Sequence, residues 1–537
     1  MRQVKNILFV LVDQLRWDCL SCYGHPHLHT PNIDWLAENG VRFERAYVQS
    51  PVCGPSRASI MTGRYMSSHG TMSNTDPISI DEKLIGEYLR PLGLRTAVIG
   101  KTDHRPDGHS MARYDIEPDS PLGQQIANRA FDPYDKDIGF NPNPLKQHGL
   151  QYNEYLKKHG YDGDNPWLEW TMGVVDEEGE VQDGRIWSNS KYPSQLPDEH
   201  SETAYVTNRA MEFMTEMGDE AWCLQLGYYK PHWPYVTNAP YHDMYPPETH
   251  LPVNRSEDEL DSHRYFSAFH SLRLSQVFSI PHARDEIVTA YMGLVKQVDD
   301  HFGRLLSFMQ ERGLMENTMI VFTSDHGDNL GDHWCGEKDI PHDCASRVPL
   351  LIYDPSAAVD QSRGNPENRF VELIDLLPTF IDAVGGDLAE HDHLLEGHSL
   401  RPLLIGEEEI PWRDYVISEM DFSLRDFGRL LDMPLHKPRA FMIRNDRWKY
   451  VVFEADRPML FDMLNDPQEL VDLGEAAEWA SVRAELDSLL FRWLRNLKHR
   501  TTVNREELSW RYGRKFEDSR GIFIGWWENK DGRNFDP

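Results

Sequence analysis

The sequence predicts an α/β protein: a large, mostly parallel sheet sandwiched by helices, with a smaller C-terminal α+β unit. Short runs of continuous apolar residues recur along the chain, and such runs are typical of strands that are buried on both faces. These runs are NILFVLVD, RTAVIGK, AWCLQLGY, TMIVFTSD and VPLLIYD. Segments with helical patterns lie between them, and this alternation favours a parallel sheet covered by helices.

The clearest helical segment is RDEIVTAYMGLVKQVDDHFGRLLSFMQERG. Its large apolar residues follow the spacing of one helix face: Ile287, Tyr291, Leu294, Val298 and Phe302. We therefore expect a long helix that buries this face against the sheet.

The chain is long enough for more than one unit. Its 537 residues exceed the usual size of one hydrophobic core. We assign residues 1–400 to the α/β domain and note a loop-rich insertion, rich in Asp, Gly, Pro and Asn, at about 110–200. Residues 401–500 are expected to form the smaller α+β domain, because RAFMIRNDRWKYVVF contains two short strands joined by an Asn-Asp turn.

The last segment, 501–537, is a tail with a cluster of apolar residues: Ile522, Phe523, Ile524, Trp526 and Trp527. Exposed apolar clusters usually mark interfaces, so we expect this tail to contact a second subunit in a homo-oligomer. The alternative is that the tail packs against its own chain.

The charge of the chain limits its partners. Its 87 acidic residues outnumber 55 basic ones, and the net charge is −32. A field of this sign repels nucleic acid and anionic membranes, which we exclude as partners. It also repels an anionic substrate, unless basic residues or a metal reverse the field locally.

The apolar run near the N-terminus, Ile7 to Val12, is too short for a signal peptide or a membrane span, which predicts a cytoplasmic protein.

Charged and metal-binding side chains stand at or just beyond the ends of four predicted strands: Asp13, Lys101, His232, and Asp325 with His326. Taken singly, each is more often a helix cap or a hydrogen-bonded loop residue. The carboxyl ends of parallel strands meet at one edge of a sheet, however, and open α/β sheets bind their ligands there. Two aspartates and a histidine at such an edge predict a metal site that suits Mn²⁺ and, less distinctively, Ca²⁺ or Mg²⁺.

A further cluster lies in CGPSRASIMTGRY, which starts at Cys53. The cysteine precedes a helical segment, so it lies where a helix N-terminus favours an anion, or where a cysteine of low pKa could act as a nucleophile. The spacing Cys-x-Pro-x-Arg decides between these two interpretations of Cys53, because it resembles the signature of the sulfatase family in the alkaline phosphatase superfamily. Similar segments run from residue 5 to about 475, among them NILFVLVDQ, YYKPHWPY, SDHGDNLGDHW and ELIDLLPTFIDAVG.

The resemblance implies an alkaline-phosphatase-like fold and a formylglycine at position 53, made from Cys53 by a maturation enzyme. It also implies one divalent metal ion, Mn²⁺ or Ca²⁺, with these ligands: Asp13, Gln14, the matured Cys53, Asp325 and His326. Arg57 matches the arginine that holds the formylglycine hydrate. The remaining matches contact the substrate: Lys101 and His232 at the oxyanion, Lys338 at the leaving-group oxygen, and Asn74 at a substrate oxygen, as in phosphonate monoester hydrolases.

The activity implied is that of an arylsulfatase-like sulfuric ester hydrolase that cleaves a small sulfate monoester. The alternative is a phosphonate monoester hydrolase or phosphodiesterase with promiscuous sulfatase activity. The family pattern Gly-Lys-x-His stands here as GKTDH, so either Asp103 or His104 faces the site. We expect His104 to be the catalytic base, with His232 as the alternative. A choline-like sulfate ester is an alternative substrate, because aromatic rings bind quaternary ammonium groups and the insertion contains three tryptophans: Trp167, Trp170 and Trp187.

Overall fold

The apolar runs form strands in the computed structural model, which describes residues 4–103, 105–137, 150–434 and 437–513. Within these ranges the strands are, in chain order, β1 (Asn6–Val12), β2 (Val41–Tyr47), β3 (Arg95–Lys101), β4 (Asp132–Asp137), β5 (Gly173–Val175), β6 (Val181–Asp183), β7 (Trp222–Tyr228), β8 (Thr318–Ser324), β9 (Arg347–Tyr353), β10 (Pro366–Glu372), β11 (Val416–Asp421), β12 (Arg439–Arg444), β13 (Trp448–Phe453) and β14 (Met459–Asp462).

The α-helices of the same ranges are α1 (Pro31–Asn39), α2 (Cys53–Thr62), α3 (Met66–His69), α4 (Ile85–Leu89), α5 (Gly108–Arg113), α6 (Pro121–Ala127), α7 (Gln151–Lys158), α8 (Glu202–Met217), α9 (Arg264–His270), α10 (Arg273–Phe278), α11 (Pro281–Glu311), α12 (Asp343–Ser346), α13 (Leu376–Ala383), α14 (Arg401–Leu404), α15 (Asp426–Leu430), α16 (Ala480–Asn496) and α17 (Arg505–Gly513).

The central sheet is mostly parallel, as predicted, with the spatial order β10–β2–β9–β8–β1–β7–β3–β4. Strand β1 pairs in parallel with β7 and β8, and β3 pairs in parallel with β7 and β4. Strand β9 runs antiparallel to its neighbours β8 and β2. Val12 lies opposite both Tyr228 and Ser324, so β1, β7 and β8 end level with one another. The strand ends that carry the predicted site residues therefore lie side by side at one edge.

Helices cover both faces of the central sheet. Helices α8 and α11 pack on one face, where α11 buries the residues that the helical spacing predicts: Ile287, Tyr291, Leu294, Val298 and Phe302. Helices α2, α4 and α13 pack on the other face. Each large apolar side chain that is buried in this way stabilises the fold by roughly 1.5–3 kcal/mol.

The four C-terminal strands β11–β14 form an antiparallel sheet, as expected of a small α+β unit. The expected hairpin is β12–β13, whose turn closes with a hydrogen bond from the Asn445 amide to the Trp448 carbonyl. Helix α16 packs on this sheet through Leu486, Leu490 and Trp493.

The apolar cluster of the tail, residues 522–527, lies outside the described residues. Among the helices described, none combines the length and the hydropathy needed to cross a membrane.

The described parts of the insertion at about 110–200 contain short elements with a core of their own. The hairpin β5–β6 and helix α7 lie here, together with one π-helical turn at Trp167–Thr171. Their core also includes one residue of α8: it consists of Tyr152, Leu156, Trp167, Met172, Leu196 and Tyr205. The insertion is thus attached to a helix of the central layer.

Candidate active site

Cys53 begins helix α2, and the residues that follow it hold the start of this helix against two other segments. The Gly54 amide donates a hydrogen bond to the Asn74 Oδ1 at 2.8 Å. A Cβ atom on Gly54 would lie 2.8 Å from the Asn74 Cα, so a larger residue would push this segment away. The Ser56 hydroxyl donates to the Asp325 carbonyl at 2.6 Å, which ties α2 to the end of β8.

Four buried side chains from the ends of β1 and β8 and the start of α2 form one group of potential metal ligands: Asp13, Cys53, Asp325 and His326. One ligand atom of each lies within 4.8 Å of the others. The Cys53 Sγ is 3.1 Å from the His326 Nε2 and 3.8 Å from the Asp13 Oδ1. The His326 Nδ1 donates to the Gly327 carbonyl at 2.8 Å, which leaves Nε2 as an acceptor that faces the group.

The electrostatics of this group fit a divalent cation. Burial, together with the charge of Asp325, raises the pKa of Asp13 to about 6. Burial acts in the same direction on Asp325, but Arg57 and other nearby cations outweigh it and lower the pKa of Asp325. Burial lowers the pKa of His326 to about 3, so its imidazole is neutral, as a metal ligand must be. Two carboxylates and a neutral imidazole are donors that Mn²⁺ accepts readily and Ca²⁺ can use.

Gln14, the fifth ligand that the resemblance implies, is held beside this group. Its backbone amide donates to the Asp325 Oδ1 at 3.1 Å, and its Oε1 accepts from the Lys338 Nζ at 2.7 Å. Its Nε2 donates to the Asp328 Oδ2. Asp328 is fully buried and is missing from the sequence-based set, although it stands in SDHGD at the same strand end as Asp325.

Three buried cations lie close to the cysteine. The Lys338 Nζ is 3.2 Å from the Cys53 Sγ, and the Lys101 Nζ is 3.8 Å from it. The Arg57 Nε donates to the Asp325 Oδ2 at 2.8 Å, and its Nη1 donates to the Lys101 carbonyl at 3.0 Å. These cations supply the local positive field that an anionic substrate needs in an acidic protein.

Two facing glycines allow Lys101 to reach this position. A Cβ atom on Gly100 would lie 2.1 Å from the Gly227 carbonyl oxygen, so the ends of β3 and β7 approach more closely than side chains allow. Burial alone would lower the pKa of Lys101, but Asp103 and Asp13 outweigh burial and raise it. Lys101 is therefore charged at neutral pH.

His232 lies on the segment that follows β7. Its Nδ1 donates to the Trp233 carbonyl at 2.5 Å, so its Nε2 is an acceptor when the ring is neutral. Burial and then the charges of Lys338 and Lys101 lower the pKa of His232 well below its usual value. A bound anion between the histidine and these lysines would reduce this repulsion, which is consistent with a place beside the oxyanion.

The GKTDH segment directs Asp103 towards the cations. The Asp103 Oδ2 lies 3.3 Å from the Lys101 Nζ and 3.6 Å from the Arg57 Nε. His104 lies outside the described residues, so its role as the base stays a prediction.

The three tryptophans of the insertion do not form an aromatic box. Trp167 is buried and donates to the Glu202 Oε1 at 2.6 Å, and Trp170 donates to the Asp162 carbonyl at 2.7 Å. Trp187 packs against Tyr235 and Phe278, with ring centroids 5.8 and 5.7 Å away. Their surroundings explain them as packing residues.

Lys338 stands between two carboxylates that sequence reasoning missed. Burial raises the pKa of Glu337 to about 7, and Asp339 forms an ion pair with Arg425 from the segment before α15. The run GEKD shows that a carboxylate stands on each side of Lys338. No local pattern predicts the contact with Arg425, because the fold alone brings this distant residue there.

Two protein-family descriptions match the chain. The sulfatase family matches residues 5–386, and the description "N-sulphoglucosamine sulphohydrolase, C-terminal" matches residues 331–496. The first match covers the strands and the helix that carry the site residues named above, and the second covers the C-terminal sheet.

Individual proteins of known name are similar over most of their length. The multifunctional alkaline phosphatase superfamily protein PehA from Trinickia caryophylli is 31% identical, over 89% of this chain and 93% of its own. An arylsulfatase from Clostridium perfringens is 28% identical, over 88% of this chain and 91% of its own. The solved structure of the phosphonate monoester hydrolase from Silicibacter pomeroyi superposes with a TM-score of 0.81 at 28% identity, covering 93% of this chain and 97% of that one. The chain therefore belongs to the sulfatase family of the alkaline phosphatase superfamily and is a sulfuric ester hydrolase.

Proposed function

We propose that this sulfatase is arylsulfatase-like and cleaves a small sulfate monoester, with the hydrate of a formylglycine at position 53 as its nucleophile. The observation that carries the proposal is the position of the Cys53 side chain. Its Sγ lies 3.1 Å from the His326 Nε2, on the side of the ligand group, and 3.2 Å from the Lys338 Nζ. A hydroxyl at this position would face both a metal site and the cations that bind an oxyanion.

The unmodified thiol is poorly suited to the reaction. Burial raises the pKa of Cys53 to about 12, although Lys101 and Lys338 act against it, so little thiolate exists at neutral pH. In the hydrate, one hydroxyl attacks the sulfur while the bond from sulfur to the leaving oxygen breaks. Deprotonation of the second hydroxyl then breaks the bond from carbon to the ester oxygen, which releases sulfate and restores the aldehyde. We propose His104 as the base, with His232 as the alternative.

The other residues of the site bind and orient the ester. We assign the sulfate oxygens to Lys101 and His232, the hydrate to Arg57, and the leaving oxygen to Lys338. Asn74 is a further contact to a substrate oxygen. A divalent cation would supply Lewis acidity beside residue 53, and we propose Mn²⁺ or Ca²⁺ on Asp13, Gln14, Asp325 and His326.

A phosphonate monoester hydrolase or phosphodiesterase with promiscuous sulfatase activity is the second candidate. The structural similarity to the phosphonate monoester hydrolase from Silicibacter pomeroyi favours it. Both ester classes have a tetrahedral centre with one negative charge, so the same cations serve both. Comparing kcat/KM for an aryl sulfate and an aryl phosphonate monoester with the same leaving group decides between them. A larger value for the sulfate supports the first candidate, and a larger value for the phosphonate supports the second.

Mass spectrometry of the peptide that contains Cys53 tests the nucleophile. We expect an aldehyde in place of the thiol in an active preparation, and no such change in the matched variant Cys53→Ser. An active preparation whose peptide carries the unmodified thiol alone contradicts the proposal. Because Cys53 is 2% exposed, we propose that the maturation enzyme acts before the fold closes around it.

We also propose a cytoplasmic location and a homo-oligomer held by the tail. Deletion of the residues after about 505, followed by measurement of the mass in solution, tests the second point. A smaller assembly is expected, since the deletion removes the apolar cluster at 522–527. An unchanged assembly counts against a role for the tail.

A further inference from the structure

We propose that Asp103 determines specificity by charge: its carboxylate makes the site favour esters with one negative charge over esters with two. The inference rests on the proposed function, because it concerns the ester that binds beside residue 53. It adds the substrate class to that proposal, since it predicts that the site prefers sulfate and phosphonate monoesters to phosphate monoesters.

The position of Asp103 is the first observation. Its Oδ2 lies 3.3 Å from the Lys101 Nζ and 3.6 Å from the Arg57 Nε, on the cations that face residue 53. This oxygen is buried and makes no hydrogen bond among the described residues, so its contacts there are ionic. Asp103 has a φ of 51°, a left-handed conformation that is uncommon outside glycine. The turn after β3 thus returns the carboxylate to the lysine two residues earlier.

The charge balance of the site is the second observation. Three cations lie beside residue 53, and four carboxylates lie within 4.0 Å of them: Arg57, Lys101 and Lys338 against Asp13, Asp325, Asp103 and Glu337. With all of these groups ionised, a divalent cation brings the sum to +1, whereas the same site without Asp103 would carry +2. The Asp103 carboxylate thus removes one of two net positive charges at the point where the oxyanion binds.

This balance affects two classes of ester differently. A sulfate or phosphonate monoester carries one negative charge, whereas a phosphate monoester carries two above its second pKa near 6. A fixed carboxylate repels a dianion twice as strongly as a monoanion at the same place. For charges about 5 Å apart in a partly buried site, this difference exceeds about a tenfold change in affinity. Lys101 and Arg57 keep enough positive charge to bind the monoanion.

The test uses the matured enzyme with its metal and three aryl esters that share one leaving group: a sulfate, a methylphosphonate monoester and a phosphate monoester. At pH 8 we expect Asp103→Asn to raise kcat/KM for the phosphate, relative to the sulfate, by about tenfold or more. The phosphonate-to-sulfate ratio should stay within about threefold, because both esters are monoanions. At pH 5 the phosphate is mostly a monoanion, so its gain should shrink to less than about threefold.

Three further variants make the outcome decisive. Asp103→Glu keeps the charge and should keep the wild-type ratios, whereas Asp103→Gly removes the charge and suits the left-handed backbone if the Asn variant does not fold. Asp119→Asn removes an exposed carboxylate from the loop between α5 and α6 and should change no ratio. An unchanged phosphate ratio in the folded charge-free variant, or an equal loss on all three esters, overturns the proposal. Matured wild-type enzyme that cleaves none of the three esters overturns the proposed function instead.

Discussion

Arg57 lies within helix α2 and Arg64 follows the helix, and the two buried arginines have different surroundings. The Arg57 Nε lies 2.8 Å from the Asp325 Oδ2, and the Arg57 Nη2 lies 4.0 Å from the Asp13 Oδ2. These aspartates also border the potential metal site. Just after the end of α2, the Arg64 Nη1 pairs with the Glu82 Oε1 at 2.6 Å, away from any of these groups. Both arginines are buried, but only Arg57 has partners among the potential metal ligands.

The region after Arg64 is a structural junction. The Tyr65 hydroxyl donates to the Glu372 Oε2 at 2.7 Å, and the Ser67 amide donates to the Glu419 Oε1 at 3.0 Å. These bonds tie the end of α2 to β10 and β11. At the junction Glu372 and Asp375 share Arg413, whereas at the start of α2 three cations and several carboxylates share one space with the potential metal ligands. Contact with the potential metal ligands, rather than buried or shared charge alone, distinguishes the candidate site.

Replacement of the residue at the centre of the site should give the largest effect. We expect Cys53→Ala to lower kcat/KM for an aryl sulfate by at least about 10⁴-fold, because it removes the precursor of the proposed nucleophile. The free energy of unfolding should change little, since alanine fits the start of the helix. Steady-state kinetics on matured wild type and variant measure the loss. Unchanged turnover would show that residue 53 does not supply the nucleophile.

Replacement of each arginine tests the comparison directly. We expect Arg57→Ala to lower kcat/KM by about 10³-fold or more, because it removes the charge that we propose holds the formylglycine hydrate. Arg64→Ala should leave kcat/KM within about threefold and lower the free energy of unfolding by roughly 1–3 kcal/mol, because the half-buried Glu82 and the Lys498 carbonyl lose their donor. Kinetics and chemical denaturation of both variants separate the two effects. A large loss of activity in folded Arg64→Ala would remove the distinction between the two ends of α2.

The sequence contained much of this site because its residues stand at strand ends. The runs before Asp13, Lys101 and Asp325 predict strands, and parallel pairing then brings their ends to one edge. The sheet order and the level ends of β1, β7 and β8 confirm this part of the fold.

The remaining features depend on contacts that no local pattern contains. The approach of Asp103 to Lys101 depends on a left-handed turn, which spacing does not reveal. The ion pair of Arg425 with Asp339 joins residues 86 positions apart, and such a pair follows only from the packing of the C-terminal unit on the central one. The antiparallel direction of β9 likewise has no signal in its apolar run.

Metal removal should affect the start of α2 and leave the junction intact. An ion that binds the folded state alone, at 100 times its Kd, stabilises it by about 2.7 kcal/mol. We therefore expect a chelator to lower the free energy of unfolding of wild type by about this amount, with recovery on addition of Mn²⁺ or Ca²⁺. Asp325→Asn should show no response to the chelator, whereas Arg64→Ala should respond as wild type does. Denaturation curves that do not change with the chelator in wild type would speak against a bound ion.

The smallest effect is expected at the junction, where Glu419 is fully buried. Burial raises the pKa of Glu419 from 4.5 to about 7, although the hydroxyl and amide of Ser67 act against it. The folded state thus binds more protons than the unfolded state between these values, so this group reduces stability progressively as pH rises from about 4.5 to 7. Glu419→Gln should therefore gain about 2 kcal/mol over wild type at pH 8 and little at pH 5.

Chemical denaturation of wild type and Glu419→Gln at pH 5 and pH 8 measures this difference. Glu396→Gln is the matched control, because Glu396 accepts hydrogen bonds from the Tyr65 amide, the Ser68 hydroxyl and the Lys498 amide. With three donors on its carboxylate, this variant should lose stability at both pH values and gain none at pH 8. The kcat/KM of Glu419→Gln should stay within about twofold of wild type, since the residue belongs to the junction. A gain of equal size at pH 5 and pH 8 would show that ionisation of Glu419 does not control the stability of this end of α2.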